Sequence, residues 1–298
     1  MTDPMTRLRC SHCRKGGLRP DPEAECLICD DCGGAHAIED GVAVLVANAA
    51  HHLAELDQAR TANPGWYAEA QPPETDSPWR HHLKKRRRYV EQALMAELDR
   101  RGQRRVPSVL DLGCGDGNHL GWLARFAEEI YGCDYNLLRL SRARARHRQA
   151  TLFLADILDF PAFDHVFDVI FFNHVIEHIQ DDVAALKTVR RLLAPDGLLV
   201  LGTPNEGAWW WQHAYKRDPA SLKTTDHVHF YTAASLTERM GAAGLKADVV
   251  HHMGWGPPDW HLDGRIRGYK IVDDLFELVG KACLRNQASS LYVLARAA

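Results

Sequence analysis

The chain has 298 residues, 46% of them hydrophobic and 25% charged, with a formal net charge of -3. That is globular composition, enough for one sizeable α/β core plus a small accessory unit. No apolar run approaches the roughly 20 residues of a membrane span and MTDPMTRLRC lacks a signal-peptide core, so a cytoplasmic, thiol-reducing location without membrane association is expected.

Five of the eight cysteines fall within the first 32 residues. Cys10-Ser-His-Cys13 and Cys29-Asp-Asp-Cys32 are two CxxC pairs separated by fifteen residues, a spacing at which four thiolates can surround a tetrahedral Zn²⁺. A segment this short buries little apolar surface, so metal would supply its folding free energy. Cys26-Leu-Ile-Cys29 is also CxxC. Leu27 and Ile28 read as strand and Gly33 as the turn closing a knuckle, which favours Cys29 and Cys32; His12 and His36 stand as substitutes. The run LICDDCGGAHAIEDGVAVLV resembles the small zinc ribbon found beside, or fused to, some methyltransferases, in which a second CxxC leads into a YPI-x-DGI strand. His36 and Ala37 replace the Tyr and Pro of that pattern. The resemblance implies a ribbon over residues 1–47 that is structural or contacts substrate, with Zn²⁺ on Cys10, Cys13, Cys29 and Cys32.

Residues 48–62 read as a short helix, and 63–78, with four prolines, as a linker or lid, so 48–78 joins the ribbon to the larger C-terminal part of the chain. From Trp79 to residue 298 apolar strands alternate with helices, the pattern of an open α/β sheet. Candidate strands are 108–112, 129–133, 151–155, 166–172 and 198–203, with two more at 245–252 and 290–295; Val183–Leu193 is one of the helices between. Residues 205–227 and 253–289 read as insertions covering a substrate pocket.

After the first of these strands comes Asp111-Leu112-Gly113-Cys114-Gly115-Asp116-Gly117-Asn118. A dinucleotide fingerprint would place its third glycine where Asn118 stands, and the lysine of a P-loop is absent. VLDLGCGDGNH instead resembles the first motif of class I S-adenosylmethionine (SAM)-dependent methyltransferases. The resemblance runs from about Trp79 to the C-terminus and implies a Rossmann-like α/β sheet of seven strands, the last antiparallel. It implies cofactor contacts from Asp111, Gly113, Gly115 and Gly117, and from Asp134 on the ribose hydroxyls. It also implies Asp156 on the adenine amino group, a backbone N–H at Ile157, and Asn173 at the sulfonium end.

His174-Val-Ile-Glu177-His178 spells the inverted zinc-protease motif, which needs both histidines on one helix face. Its place directly after the fourth strand of a methyltransferase pattern argues instead for a helix start in which Glu177 and His178 orient loops beside the cofactor. A proton-bearing acceptor would need a base, and His229 or His174 is the candidate, with His227 a third. Trp209, Trp210, Trp211, Tyr215, Trp255 and Trp260 could wall an apolar acceptor pocket. The expectation is a small-molecule acceptor, biosynthetic or natural-product in kind, anionic or carrier-linked. Basic runs at 84–88, 100–105 and 139–148, together with the ribbon, keep an RNA base methyltransferase as the alternative. A third reading is a SAM-binding scaffold that does not turn over.

Overall fold

The computed structural model describes residues 4–219, 226–257 and 259–298. In chain order the elements are β1 (Leu18–Pro20), β2 (Cys26–Cys29), β3 (Ala35–Glu39), β4 (Val42–Val44), α1 (Ala49–Ala62), α2 (Pro64–Tyr67) and α3 (Arg80–Arg101). Next come β5 (Val106–Leu112), α4 (Leu120–Leu123), β6 (Ala127–Asp134), α5 (Leu137–Arg146), β7 (Thr151–Leu154), β8 (Phe167–Asn173), α6 (Asp182–Leu192) and β9 (Leu193–Pro204). The last are α7 (Trp209–Arg217), α8 (Ala233–Ala242), β10 (Leu245–Met253), α9 (Trp260–Ile266), α10 (Lys270–Cys283) and β11 (Ser290–Ala297). All seven expected strands form, some extended by a few residues.

Two compact units emerge: Met1–Gln71 with Arg104–Phe171 and Arg191–Gly197, and Pro72–Gln103 with Phe172–Arg190 and Leu198–Ala298. In the first, the strand order is β1-β2-β3-β4-β7-β6-β5-β8; in the second it is β8-β9-β11-β10, with β8 and β9 giving residues to both. β5, β6 and β7 pair in parallel, and β11 runs antiparallel to both β9 and β10. The expected seven strands and the antiparallel last one are therefore present. The central strands are apolar on both faces: Val169, Ile170, Phe171 and Phe172 of β8 and Leu199, Val200 and Leu201 of β9 are buried. Continuous burial of this kind suits strands covered by helices on both faces.

The cysteine-rich segment adds to the first unit's sheet rather than standing apart. β1 to β4 form an antiparallel meander, and β4 then pairs in parallel with β7, Ala43 opposite Phe153 and Val44 opposite Leu154. The Leu45 N–H continues the ladder to the Leu154 carbonyl at 3.0 Å. An unpaired edge strand carries a row of unmet N–H and C=O groups, and the apolar run Val42-Ala43-Val44-Leu45, wholly buried here, meets them on β7.

Candidate functional site

In the first unit, β5 ends at a turn in which Gly113, Gly115 and Gly117 have φ of +79°, +51° and +79°. A Cβ at those angles is strained, so the residue type follows from the backbone path. The N–H groups of Gly113 and Cys114 both donate to the Cys133 carbonyl at 2.9 Å, tying the turn to the end of β6. One residue later stands Asp134. Its Oδ2 accepts from the Gly115 N–H at 2.8 Å and its Oδ1 from the Asn136 N–H at 2.9 Å. These bonds fix the carboxylate at the tip of β6. Burial raises its pKa, against the pull of the Gly115 N–H.

Asp111 is buried, and its Oδ2 makes no hydrogen bond among the described residues. Burial first, then the charge of Asp134, pushes its pKa well up. An orphaned acid beside a glycine turn fits a ligand that brings N–H donors or positive charge, as SAM does. Asp156, after β7, spends Oδ1 on the Leu158 N–H at 2.8 Å, which caps the short 3-10 turn Ile157–Asp159 and sets the direction of the Ile157 backbone. The proline-rich segment, in its part up to Gln71, lies against the glycine turn. The Gln71 N–H donates to Asp116 Oδ2 at 2.7 Å, and the Tyr67 and Ala68 carbonyls accept from Asn136 Nδ2 at 2.9 Å and Arg142 at 2.5 Å.

The four-cysteine cluster lies in the same unit. Cys10, Cys13, Cys29 and Cys32 bring their sulfurs within 4.8 Å of one another. Cys10 lies 3.7 Å from Cys32 and Cys13 3.6 Å from Cys29, sulfur to sulfur. Backbone N–H groups of His12 and Cys13 point at Cys10 Sγ, and those of Asp31 and Cys32 at Cys29 Sγ, which favours thiolates. Cys26 lies outside the four and pairs with Ala37 in the meander. His36 supports Cys10 from outside, Nε2 to Sγ at 3.3 Å. The donor set and convergence fit a tetrahedral Zn²⁺.

In the second unit, Asn173 closes β8. Its Oδ1 accepts from the Tyr292 hydroxyl at 2.9 Å, and a Cβ on Gly202 would fall 2.2 Å from that same oxygen. Gly202 is therefore the residue of β9 that leaves room for this rotamer. His174 comes next with φ of +55°, a left-handed backbone that costs a non-glycine residue about 1–3 kcal/mol. Three partners hold it there. Its N–H donates to the Gly202 carbonyl at 2.8 Å, Arg86 donates to its Nε2 at 2.9 Å, and its Nδ1 stands 3.3 Å from Glu177 Oε1. Burial, then the Arg86 cation, lowers its pKa. The inverted protease motif consequently has no helix to stand on: only Ile176–His178 form a single 3-10 turn.

The stretch after β9 returns to this turn. Val228 and His229 donate their N–H groups to the Glu177 carbonyl at 2.9 and 3.1 Å. His229 donates from Nε2 to the Gln180 carbonyl at 3.1 Å, leaving Nδ1 as its basic nitrogen. Buried Glu206 accepts from the Tyr215 hydroxyl at 3.0 Å and from His227 Nδ1 at 2.6 Å. Burial works against the His227 cation, but Glu206 outweighs it and raises the pKa. Of the tryptophans, Trp209 is about half exposed, Trp211 is buried with Tyr215 and Ala208, and Trp255 is buried with its Nε1 on the Leu284 carbonyl at 2.8 Å. The side chains of Trp210 and Trp260 lie outside the described residues. Arg86, Glu206, Gly202 and Tyr292 carry no local signal in sequence, since each acts on a partner far along the chain.

A family model described as a methyltransferase domain matches residues 82–252, more than half of the chain. This chain belongs to the methyltransferase-domain family, in the class I SAM-dependent group. The domain is 28% identical over 162 residues to a probable SAM-dependent methyltransferase of Mycolicibacterium smegmatis, covering 53% of this chain and 61% of that protein. It is 28% identical over 190 residues to a ubiquinone biosynthesis O-methyltransferase of Cereibacter sphaeroides, covering 58% and 75%. The match thus spans less than two thirds of the mycobacterial relative. In fold, the methyltransferase domain aligns with magnesium protoporphyrin IX methyltransferase from Synechocystis bound to SAH, with a TM-score of 0.51 and 15% identity, over 82% of this chain and 95% of that one. Among the described residues no helix is long and apolar enough to cross a membrane.

Proposed function

We propose that this methyltransferase domain transfers a methyl group from SAM to a small-molecule acceptor. One observation carries the reading: the glycine turn after β5 tied to Asp134 at the tip of β6. In this proposal Asp134 accepts the ribose hydroxyls with its remaining lone pairs, and Asp111 faces the cationic methionine part. Asp156 receives the adenine amino group beside the Ile157 N–H, and Gly113, Gly115 and Gly117 let the backbone approach. Asn173 is assigned to the sulfonium end. SAM supplies an electrophilic methyl on a neutral leaving group, so the protein's work is alignment and exclusion of water.

Where the acceptor is a hydroxyl, His229 is the better placed base. Its Nδ1 keeps a lone pair, whereas the Nε2 lone pair of His174 already accepts from Arg86. Structural zinc on Cys10, Cys13, Cys29 and Cys32 would hold the β1–β4 meander that pairs with β7. The ubiquinone relative and the porphyrin neighbour act on small molecules, which supports that class of acceptor.

The RNA alternative loses support because many of the basic residues are already paired within the chain. Lys85 contacts Asp273 and Asp274, Arg100 and Arg101 contact Glu97, and Arg144 holds the Gly41 carbonyl. The test is methyl-labelled SAM incubated with the protein and fractionated extract. Label in small metabolites supports the proposal, label mainly in RNA replaces it with the alternative, and SAM binding without transfer leaves the scaffold.

A further inference from the structure

The broken HxxEH motif leaves two of its residues in a second cluster, joined by a histidine about fifty residues on. Glu177, His178 and His227 place one ligand atom each within 4.8 Å of one another. We propose that these three residues bind a divalent cation of the zinc type, whose open positions take an oxygen of the methyl acceptor. The acceptor clause rests on the proposed function; the metal site itself does not.

Two imidazoles and one carboxylate form a donor set suited to a catalytic cation with positions left for water or substrate. The hydrogen bond behind each histidine sets its tautomer. His178 Nδ1 faces the Asp226 carbonyl at 3.1 Å, and His227 Nδ1 faces Glu206 Oε1 at 2.6 Å. Those oxygens only accept, so Nδ1 carries the proton in both rings and Nε2 is the lone-pair nitrogen. A carbonyl or carboxylate behind the far nitrogen is the usual outer partner of a metal-bound histidine.

Glu177 is buried, with Oε2 accepting from the Thr203 hydroxyl at 3.1 Å. Beyond the 3.3 Å approach of His174, Oε1 makes no hydrogen bond among the described residues. Glu206 is buried too, and its Oε2 is likewise without a hydrogen bond there. Two buried carboxylates around two imidazoles accumulate negative charge that a cation would neutralise. Bonds of about 2.1 Å need ligand atoms about 3.4 Å apart, so small side-chain rotations close the cluster. A cation there would lower the pKa of a bound acceptor hydroxyl and reduce the demand on a protein base.

The test is cobalt reconstitution of the full chain. Cobalt on four thiolates absorbs intensely in the near ultraviolet, whereas cobalt on nitrogen and oxygen gives only weak visible bands. The expected result is two cobalt ions per chain, the second without thiolate absorption, falling to one in H178A/H227A with the thiolate band unchanged. Glu177→Gln, which keeps the side-chain shape, should weaken the second site at least tenfold while circular dichroism and SAM affinity stay at parent values. Acetohydroxamate, a bidentate oxygen donor, should shift the weak visible band by entering the open positions. One cobalt per chain, all of it thiolate-bound, or two retained in the double variant, overturns the site; an unmoved visible band overturns its open positions. SAM affinity, measured on the same samples, separates the outcomes. SAM binding without a second cobalt removes this inference alone, and a second cobalt without SAM binding removes the methyltransferase reading alone.

Discussion

Gly202→Ala is expected to destabilise the second unit by about 3 kcal/mol, through a clash with one named atom. A methyl group at this position falls 2.2 Å from Asn173 Oδ1 and 3.0 Å from the Tyr292 ring. Crowding a packed strand costs about 1–3 kcal/mol. The Asn173 amide must also swing away and release the Tyr292 hydroxyl, which is buried, for roughly 1–2 kcal/mol more. The opposing term is small, since alanine restricts the unfolded chain by about 0.4–1 kcal/mol relative to glycine. At a site without the clash the same substitution would be neutral or stabilising, so the sign of the effect is diagnostic. Urea unfolding of Gly202→Ala, Tyr292→Phe and the double variant measures it. Once Tyr292→Phe has removed the hydroxyl, the added alanine should cost about 1 kcal/mol less than it does in the parent. A Gly202→Ala protein as stable as the parent, or strictly additive effects, would refute the assignment of Gly202 as the space-maker for Asn173.

Asp134→Ala should weaken SAM binding roughly 100-fold by calorimetry, the loss of two hydrogen bonds to a charged group at about 1.5 kcal/mol each; an unchanged affinity would remove Asp134 from the cofactor site. Cys10→Ser should lower thiolate-bound zinc to well below one per chain by elemental analysis and speed hydrogen exchange in β1–β4 and at the Leu45 N–H that pairs with Leu154. Full zinc content in that variant would point to a different ligand set. Glu97 of α3 holds Arg100, Arg101 and Arg296. Although burial opposes ionisation, these cations keep its pKa down to about 2. A lowered carboxylate pKa stabilises above the ordinary value near 4.5 and loses that contribution as pH falls through 2. Glu97→Gln should therefore cost about 2 kcal/mol at pH 7, less as pH drops below 4.5, and almost nothing near pH 2; a penalty constant with pH would show that packing, not charge, is lost.

The elements that were legible are those with a local signal. Seven apolar runs became β5 to β11; the central ones, β8 and β9 among them, were legible because a strand buried on both faces must be apolar along its length. The CxxC spacing picked out four cysteines that do converge, and the structure separates them from Cys26, which the spacing left in competition. Other features had no such signal. Trp211 and Trp255, read as candidate pocket walls, are packed inside the second unit, because an aromatic in a loop-rich stretch looks the same whether it lines a cavity or fills a core. The HxxEH spacing, set aside in sequence for its place directly after the fourth strand, has no helix in the structure: His174 takes a left-handed backbone and only Ile176–His178 form a 3-10 turn.

From sequence alone, the glycine turn, the acids at the strand ends and the methyltransferase family could be read, because each depends on residues within a few positions of one another. The tertiary structure decided which distant groups meet. It set β4 on the edge of β7, Tyr292 and Gly202 around Asn173, Arg86 on His174, and His227 between Glu206 and the turn at Glu177. These are contacts across roughly twenty to a hundred and twenty residues, made by chain crossovers and by burial. A short-range pattern has no term for either.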